Sequence, residues 1–175
     1  MFDELLSANE QYAEGFSFRD LAGRPRRGLA IVTCMDTRIE PMSILGLAPG
    51  DANILRNAGG RVTDDVLRSL LLATVLLEVS QVVVMHHTRC ALAGHTETEL
   101  RSAVAAANPE VALTQALLAM PDPDDSLATD VGTILKSPGL PRTLLVAGWR
   151  YDVDTGRVVR IIEQSRDADA PPSSR

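Results

Sequence analysis

Aromatic side chains make up only 3% of the 175 residues, with one Trp, two Tyr and three Phe. A core of ordinary size must therefore be built from Leu, Val, Ile and Ala. An excess of positive charge is also missing. The 17 Lys and Arg stand against 23 Asp and Glu, for a net charge of −6, which argues against nucleic acid as a partner. Basic residues cluster only locally, at Arg24, Arg26 and Arg27, and this short run reads as the solvated entry to a strand. No apolar run is long enough to cross a membrane; Leu70–Leu77 is short and is closed by Glu78. Residues 1–6 carry acid where a secretory signal would carry base. The expected location is therefore cytoplasmic, with no membrane partner. Cysteine is scarce too, at two residues. In a reducing compartment such a pair reads as metal ligands or catalytic thiols more often than as a disulfide.

The hydrophobic fraction of 45% and the mean hydropathy of +0.04 describe a globular chain. Helical spacing runs from Asp3 to Phe16, with Leu5, Leu6, Ala8, Tyr12 and Phe16 toward one side. Gly28–Thr33 is a nearly all-apolar run, as expected of a strand buried on both faces of a parallel sheet, and Gln81–Met85, with the apolar run Val82–Met85, is predicted as another strand. Ala52–Leu55 and Thr143–Ala147 are predicted as further strands. Asp154-Thr155-Gly156 reads as a hairpin turn between Gly148–Val153 and a last strand, Val158–Ile162. Helices are predicted over Pro41–Leu47, Asp64–Glu78, Thr96–Ala107, Val111–Met120 and Ser126–Leu135. The Asp64–Glu78 helix is capped by Thr63, with Asp64 and Asp65 in its first turn. Strands separated by helices give an α/β fold with a mostly parallel sheet of about five strands, flanked by helices. One domain is expected over residues 1–164, followed by a disordered tail over 165–175 that is charged and rich in Pro and Ser.

Both cysteines follow apolar runs. Cys34-Met35-Asp36-Thr37-Arg38 closes the first strand, and His87-Thr88-Arg89-Cys90 closes the third. Ligands in open α/β sheets sit beyond the carboxyl ends of strands, so these two clusters can converge. Two sulfurs and one imidazole suit Zn2+ and leave a fourth position to spare. Asp36 is close enough in sequence to swing onto such a metal, and Arg38 can hold it off in a bidentate pair. Plainer readings remain open at this level: two buried apolar cysteines, and a loop ion pair between Asp36 and Arg38. His86 should point away from His87 by strand alternation and belongs to the core or its border. His95 reads as a surface or helix-entry histidine.

Taken together, Cys34-x-Asp36-x-Arg38, Arg56-Asn57-Ala58-Gly59 and His87-x-x-Cys90 resemble the β-class carbonic anhydrases, in the short bacterial branch. The likeness continues through Val62–Leu70 and Tyr151–Gly156 and is weak between about 97 and 140. It implies Cys34, His87 and Cys90 as zinc ligands, joined by Asp36 in a closed state only. It implies Asp36 and Arg38 as the catalytic pair, and an antiparallel strand at the edge of the sheet. An amino-terminal arm, residues 1–22, would pack on a partner subunit in a homodimer or dimer of dimers. Asn57, Ala58, Gly59 and Gly60 would line the substrate cleft. Two departures from the family pattern stand beside the second cluster: Arg89 where many relatives have Asp, and Ala91 where many have Gly. The plant-type branch also carries a Gln shortly before the first strand, which residues 22–27 lack.

The resemblance implies reversible hydration of carbon dioxide to bicarbonate by zinc-bound hydroxide, oriented by the Asp36–Arg38 pair. Two other functions remain compatible with the residues. One is a hydrolase of carbonyl sulfide or carbon disulfide on the same fold, and the other is a noncatalytic zinc-binding regulatory protein.

Overall fold

The computed structural model of the chain describes residues 2–165. Helix α1 spans Phe2–Glu14, β1 Leu29–Cys34, α2 Pro41–Ile44, β2 Ala52–Asn57, α3 Asp64–Leu76 and β3 Gln81–His87. Helices α4 (Glu97–Ala107) and α5 (Pro123–Lys136) follow, and then strands β4 (Leu145–Tyr151) and β5 (Val158–Ser165). The five strands lie in the order β2-β1-β3-β4-β5. The first four are mutually parallel, and β5 runs antiparallel to β4 at the edge. This is the expected α/β architecture.

Period-two alternation divides the core between the faces of the sheet. Ala30, Val32, Val82, Val84 and Val146 face α3 and α5, where Leu70, Leu127, Val131 and Ile134 meet them. Ile31, Val83, Met85 and Ala147 face the other way, beside Cys34, Cys90 and Tyr151. Full burial of Ile134 makes its truncation to Ala worth about 2–5 kcal/mol. Gly148 lies in the middle of β4, where a Cβ would come within 3.1 Å of Leu127 and Val131. Its bare backbone lets α5 settle onto the sheet.

The helices start where their caps predict. Thr63 accepts from the Val66 N–H at 3.3 Å, and Thr96 and Glu99 form a reciprocal capping box. Helix α5 starts earlier than expected. Asp122 accepts from the N–H groups of Asp124 and Asp125, and Pro123 occupies the first turn. Thr143–Ala147 and Gly148–Val153 are not two strands but one, β4, with a bulge at Gly148/Trp149. Residue Ser165, placed with the tail by sequence, closes β5; residues 166–175 lie outside the described residues.

Val111–Met120 is not a helix. Other elements claim its backbone instead. Glu97 accepts from the Leu117 and Ala119 N–H groups, and Arg101 donates to the Leu113 and Gln115 carbonyls. Leu118 takes a left-handed φ of 58°, and Met120 pairs with Ala93. Only Met120 of the segment is buried, so a helix here would have no apolar face to bury.

At the other end of the sheet, Arg26 and Arg27 share Asp51, and Arg24 meets Glu78. The basic run is a paired, partly solvated strand entry. No helix among the described residues is long and apolar enough to cross a membrane. Helix α1 buries none of its residues; Phe2, Leu5, Leu6 and Tyr12 are 56–75% exposed.

Candidate metal centre

The carboxyl ends of β1 and β3 are neighbours because the two strands pair in register, from Leu29 opposite Gln81 to Thr33 opposite Met85. Cys34 ends β1 and His87 ends β3. The chain then turns through Arg89, in a left-handed conformation with φ 56°, and returns Cys90 to the same point. The Sγ atoms of Cys34 and Cys90 and a ring nitrogen of His87 all lie within 4.8 Å of one another, and all three residues are buried.

The donor set fits a metal on its own chemistry. His87 Nδ1 lies 2.9 Å from the Thr88 carbonyl oxygen, which fixes that nitrogen as the donor. Nε2 is then left with its lone pair, buried and without a hydrogen-bond partner among the described residues. An unpaired buried imidazole nitrogen is costly unless something else binds it. The sulfurs supply the remaining preference. Cys34 is held down to about 4, first by its hydrogen bond with Cys90, against the opposing effect of burial, and further by the Asp36 and Gly59 N–H groups. Cys90 is pushed up by that same contact and by burial. Two close sulfurs share one proton in the absence of a cation, and a cation displaces it. Soft sulfur and imidazole together select a metal such as zinc.

Asp36 stands beside this cluster and is held there. Its Oδ1 accepts from Arg38 Nε at 2.9 Å and from the Arg38 N–H at 3.0 Å, and its Oδ2 accepts from Arg38 Nη2 at 2.7 Å. Arg38 keeps the carboxyl well below the usual carboxylate range. Oδ2 is 3.9 Å from His87 Nε2, too far for a hydrogen bond. The carboxylate therefore faces the donors while its geometry is set by Arg38.

The Asn57–Gly60 segment supports Cys34 from below. Gly60 has φ +67°, and a Cβ on it would lie 2.9 Å from the Cys34 nitrogen. Asn57 Nδ2 donates to the Arg61 carbonyl, and Asn57 O accepts from the Met35 N–H. Ala58 is exposed, and Gly59 is buried with its Cβ position 2.8 Å from Leu92.

His86 points away from His87, into the α5 face, where its Nε2 lies 3.0 Å from Asp130 Oδ2. His95 is exposed at the entry to α4. Arg89 does not aim its charge at the donors; its guanidinium meets Asp154 at 2.6 Å. Three contributions have no local sequence signal. Arg56 donates to the Cys34 and Asp36 carbonyls, the Arg89 carbonyl accepts from Arg38, and Asp130 lies under the site. Arg56 and Arg89 lie within the motifs of the two clusters and their neighbouring loop, whereas Asp130 lies outside all of them.

The family profile for carbonic anhydrase matches residues 29–158. β-Carbonic anhydrase 1 of Mycobacterium tuberculosis is 32% identical over 158 residues, covering 89% of this chain and 94% of that protein. The crystal structure of a carbonic anhydrase from Streptococcus mutans superposes with a TM-score of 0.85 at 41% identity, covering 92% of this chain and 97% of the other. A carbon disulfide hydrolase from an Acidianus species is 29% identical, covering 90% of this chain and 89% of that protein. Four parallel strands with an antiparallel edge, and a Cys-His-Cys cluster at their carboxyl ends, agree with those relationships. The chain belongs to the β-carbonic anhydrase family.

Proposed function

We propose that this chain is a zinc-dependent carbonic anhydrase that interconverts carbon dioxide and bicarbonate. In this reading Cys34, His87 and Cys90 hold Zn2+. The observation that carries it is the Asp36–Arg38 pair beside the three donors, with Asp36 Oδ2 3.9 Å from His87 Nε2. A purely structural zinc takes four protein ligands, whereas here the nearest carboxylate is held by an arginine.

When bound, zinc brings the pKa of water from 15.7 to about 7 in the best-known hydrase site. The rest of the chemistry belongs to the chain. Asp36 stays ionised because Arg38 holds it so, which makes it an acceptor and not an acid. Its Oδ2 takes a hydrogen bond from the nucleophilic water and turns a lone pair toward the carbon of carbon dioxide. Arg38 fixes the carboxylate through two parallel bonds, so little reorientation is needed during attack. His87 is set as an Nε2 ligand by its Nδ1 contact with Thr88. Asn57–Gly60 borders the cleft in this account.

Helix α1 presents Phe2, Leu5, Leu6 and Tyr12 to solvent, which supports an arm that packs on a second copy of the chain in a homodimer or a dimer of dimers. Adjacent free thiols suit a reducing compartment such as the cytoplasm.

The test is stopped-flow hydration of carbon dioxide by the zinc-loaded full chain across pH, with carbonyl sulfide and carbon disulfide run in parallel. Turnover of carbon dioxide is expected. Hydrolysis of the sulfur substrates alone would move the chain to the chemistry of its carbon disulfide hydrolase relatives. No turnover of any of the three would refute an enzymatic site.

A further inference from the structure

Asp130 is 3% exposed on α5, and every partner its carboxylate meets leads to a segment that carries one of the three donors. Its Oδ2 lies 3.0 Å from His86 Nε2, and His86 is the residue before His87. The His86 ring sits on the α5 face of β3 while the His87 ring sits on the site face. Fixing one ring fixes the strand twist that aims the other.

The second route runs through Arg61, which is 8% exposed. Arg61 Nε donates to Asp130 Oδ2 at 2.7 Å and Nη2 to Oδ1 at 3.4 Å, and the Val62 N–H donates to Oδ1 at 3.1 Å. These bonds pin the chain just after Gly60. Gly60 abuts the backbone of Thr33 and Cys34, and the Arg61 carbonyl is held by Asn57 at 2.8 Å. The Cys34 backbone therefore rests on a turn that Asp130 holds in place.

The third route uses the free end of the same guanidinium. Arg61 Nη1 donates to the Leu118 carbonyl at 2.6 Å and the Ala119 carbonyl at 3.2 Å. The next residue, Met120, donates its N–H to Leu92 and accepts from the Gly94 N–H. Leu92 in turn donates its N–H to the Cys90 thiol, and Ala93 N–H donates to the Cys90 carbonyl at 3.0 Å. The left-handed backbone of Leu118 is held in this strap.

We propose that Asp130, acting through Arg61 and His86, is a positioning residue that gathers Cys34, His87 and Cys90 into a metal-ready cluster before any metal binds. The proposal rests on reading the cluster as a zinc site. A buried ion pair gains little over apolar packing as a stabiliser, so stability alone is a weak reason for a carboxylate at this depth. Burial pushes the Asp130 carboxyl up, but the bonds from His86 and Arg61 more than reverse that, and the group is a carboxylate. Carboxylates that orient ligands from behind are worth roughly 10–100-fold in metal affinity.

The experiment compares wild type, Asp130→Asn, Arg61→Lys and the core control Ile134→Val, each as the full apo chain loaded with cobalt(II). Cobalt affinity is read by chelator competition, coordination by the visible d–d bands and the thiolate charge-transfer band, and folding by thermal melting of the apo forms. D130N and R61K are expected to lose about 10–100-fold in affinity and to show broadened or shifted d–d bands. I134V is expected to lose stability yet keep its affinity within about twofold, since its side chain packs in the apolar cluster of the same face and has no polar group to offer the Asp130–Arg61–His86 network. A folded D130N with wild-type affinity and spectrum would overturn the proposal. If D130N fails to fold, R61K decides: it keeps the charge but loses the guanidinium fork to Leu118 and Ala119, and unchanged affinity in that variant would overturn the proposal equally. A wild-type chain that binds no cobalt would instead bring down the metal reading itself, and the proposal with it.

Discussion

Arg38 Nη2 donates both to Asp36 Oδ2, at 2.7 Å, and to the main-chain carbonyl oxygen of Arg89, at 3.1 Å. The arginine that holds the carboxylate is thus itself held by the turn between His87 and Cys90. That turn works through its backbone: Arg89 has φ 56°, and its side chain is 66% exposed against Asp154. The positive charge at this position is consequently directed away from the donors.

Replacing Arg89 by Gly should therefore change little. Glycine adopts the left-handed backbone freely and keeps the carbonyl in place. The lost pair with Asp154 is a surface ion pair, worth about 0–1 kcal/mol. Urea unfolding should report a stability change of that size or less, and carbon dioxide hydration should stay within about twofold. A large loss of turnover in R89G would show that the guanidinium itself acts at the site.

Asp36→Ala should separate binding from turnover. The three donors remain, so zinc content after dialysis should stay near one per chain. Loss of the oriented acceptor should lower kcat/KM by roughly 10²-fold or more. Loss of zinc in D36A would make Asp36 a permanent ligand. Unchanged turnover would remove its orienting role.

Gly60→Ala should damage fold and site together. The position combines φ +67° with a Cβ 2.9 Å from backbone atoms of Thr33 and Cys34. Those contacts are main chain at the end of a central strand and cannot move aside cheaply. A destabilisation of about 2–4 kcal/mol is expected in urea unfolding, with weakened metal uptake. Gly156→Ala is a useful comparison: it shares a left-handed φ of +70° but has open space around its Cβ. It should cost about 1–2 kcal/mol for the backbone alone and leave metal uptake intact.

Acid should weaken the chain through Asp130. Its folded pKa lies below the ordinary value of 3.8, so the unfolded state binds its proton first as pH falls. The contribution is complete above the unfolded pKa and drains away as pH drops through the folded one. Asp130→Asn should flatten the fall in stability below about pH 4, measured by urea unfolding of the apo form across pH. An equally steep acid profile in D130N would place the titration elsewhere.

Much of the donor set could be read in the chain because each donor closes a run whose pattern is plain. Ala30–Val32 and Val82–Met85 are apolar on both faces, so they had to be central parallel strands. Residues at their carboxyl ends had to converge. Alternation alone sent His86 and His87 to opposite faces. The Asp36–Arg38 contact is local, two residues apart, and needed no fold to anticipate. What escaped was held by distance in sequence or by competition for the backbone. Asp130 reaches Val62 across 68 positions and His86 across 44, and no periodicity marks such a pairing. Val111–Met120 looked helical because Ala and Leu favour helices, but the carboxylate of Glu97 and the guanidinium of Arg101 took its hydrogen bonds. The boundary between Thr143–Ala147 and Gly148–Val153 dissolves into a continuous β4, because the missing Cβ of Gly148 is what admits α5 to it.

Zinc K-edge X-ray absorption on the stoichiometrically loaded full chain tests the central claim most directly. The account predicts two sulfur scatterers at about 2.3 Å and two nitrogen or oxygen scatterers at about 2.0–2.1 Å, one from the His87 imidazole and one from outside the three donors. Zinc bound without sulfur, or a folded chain that takes up no zinc, would contradict it.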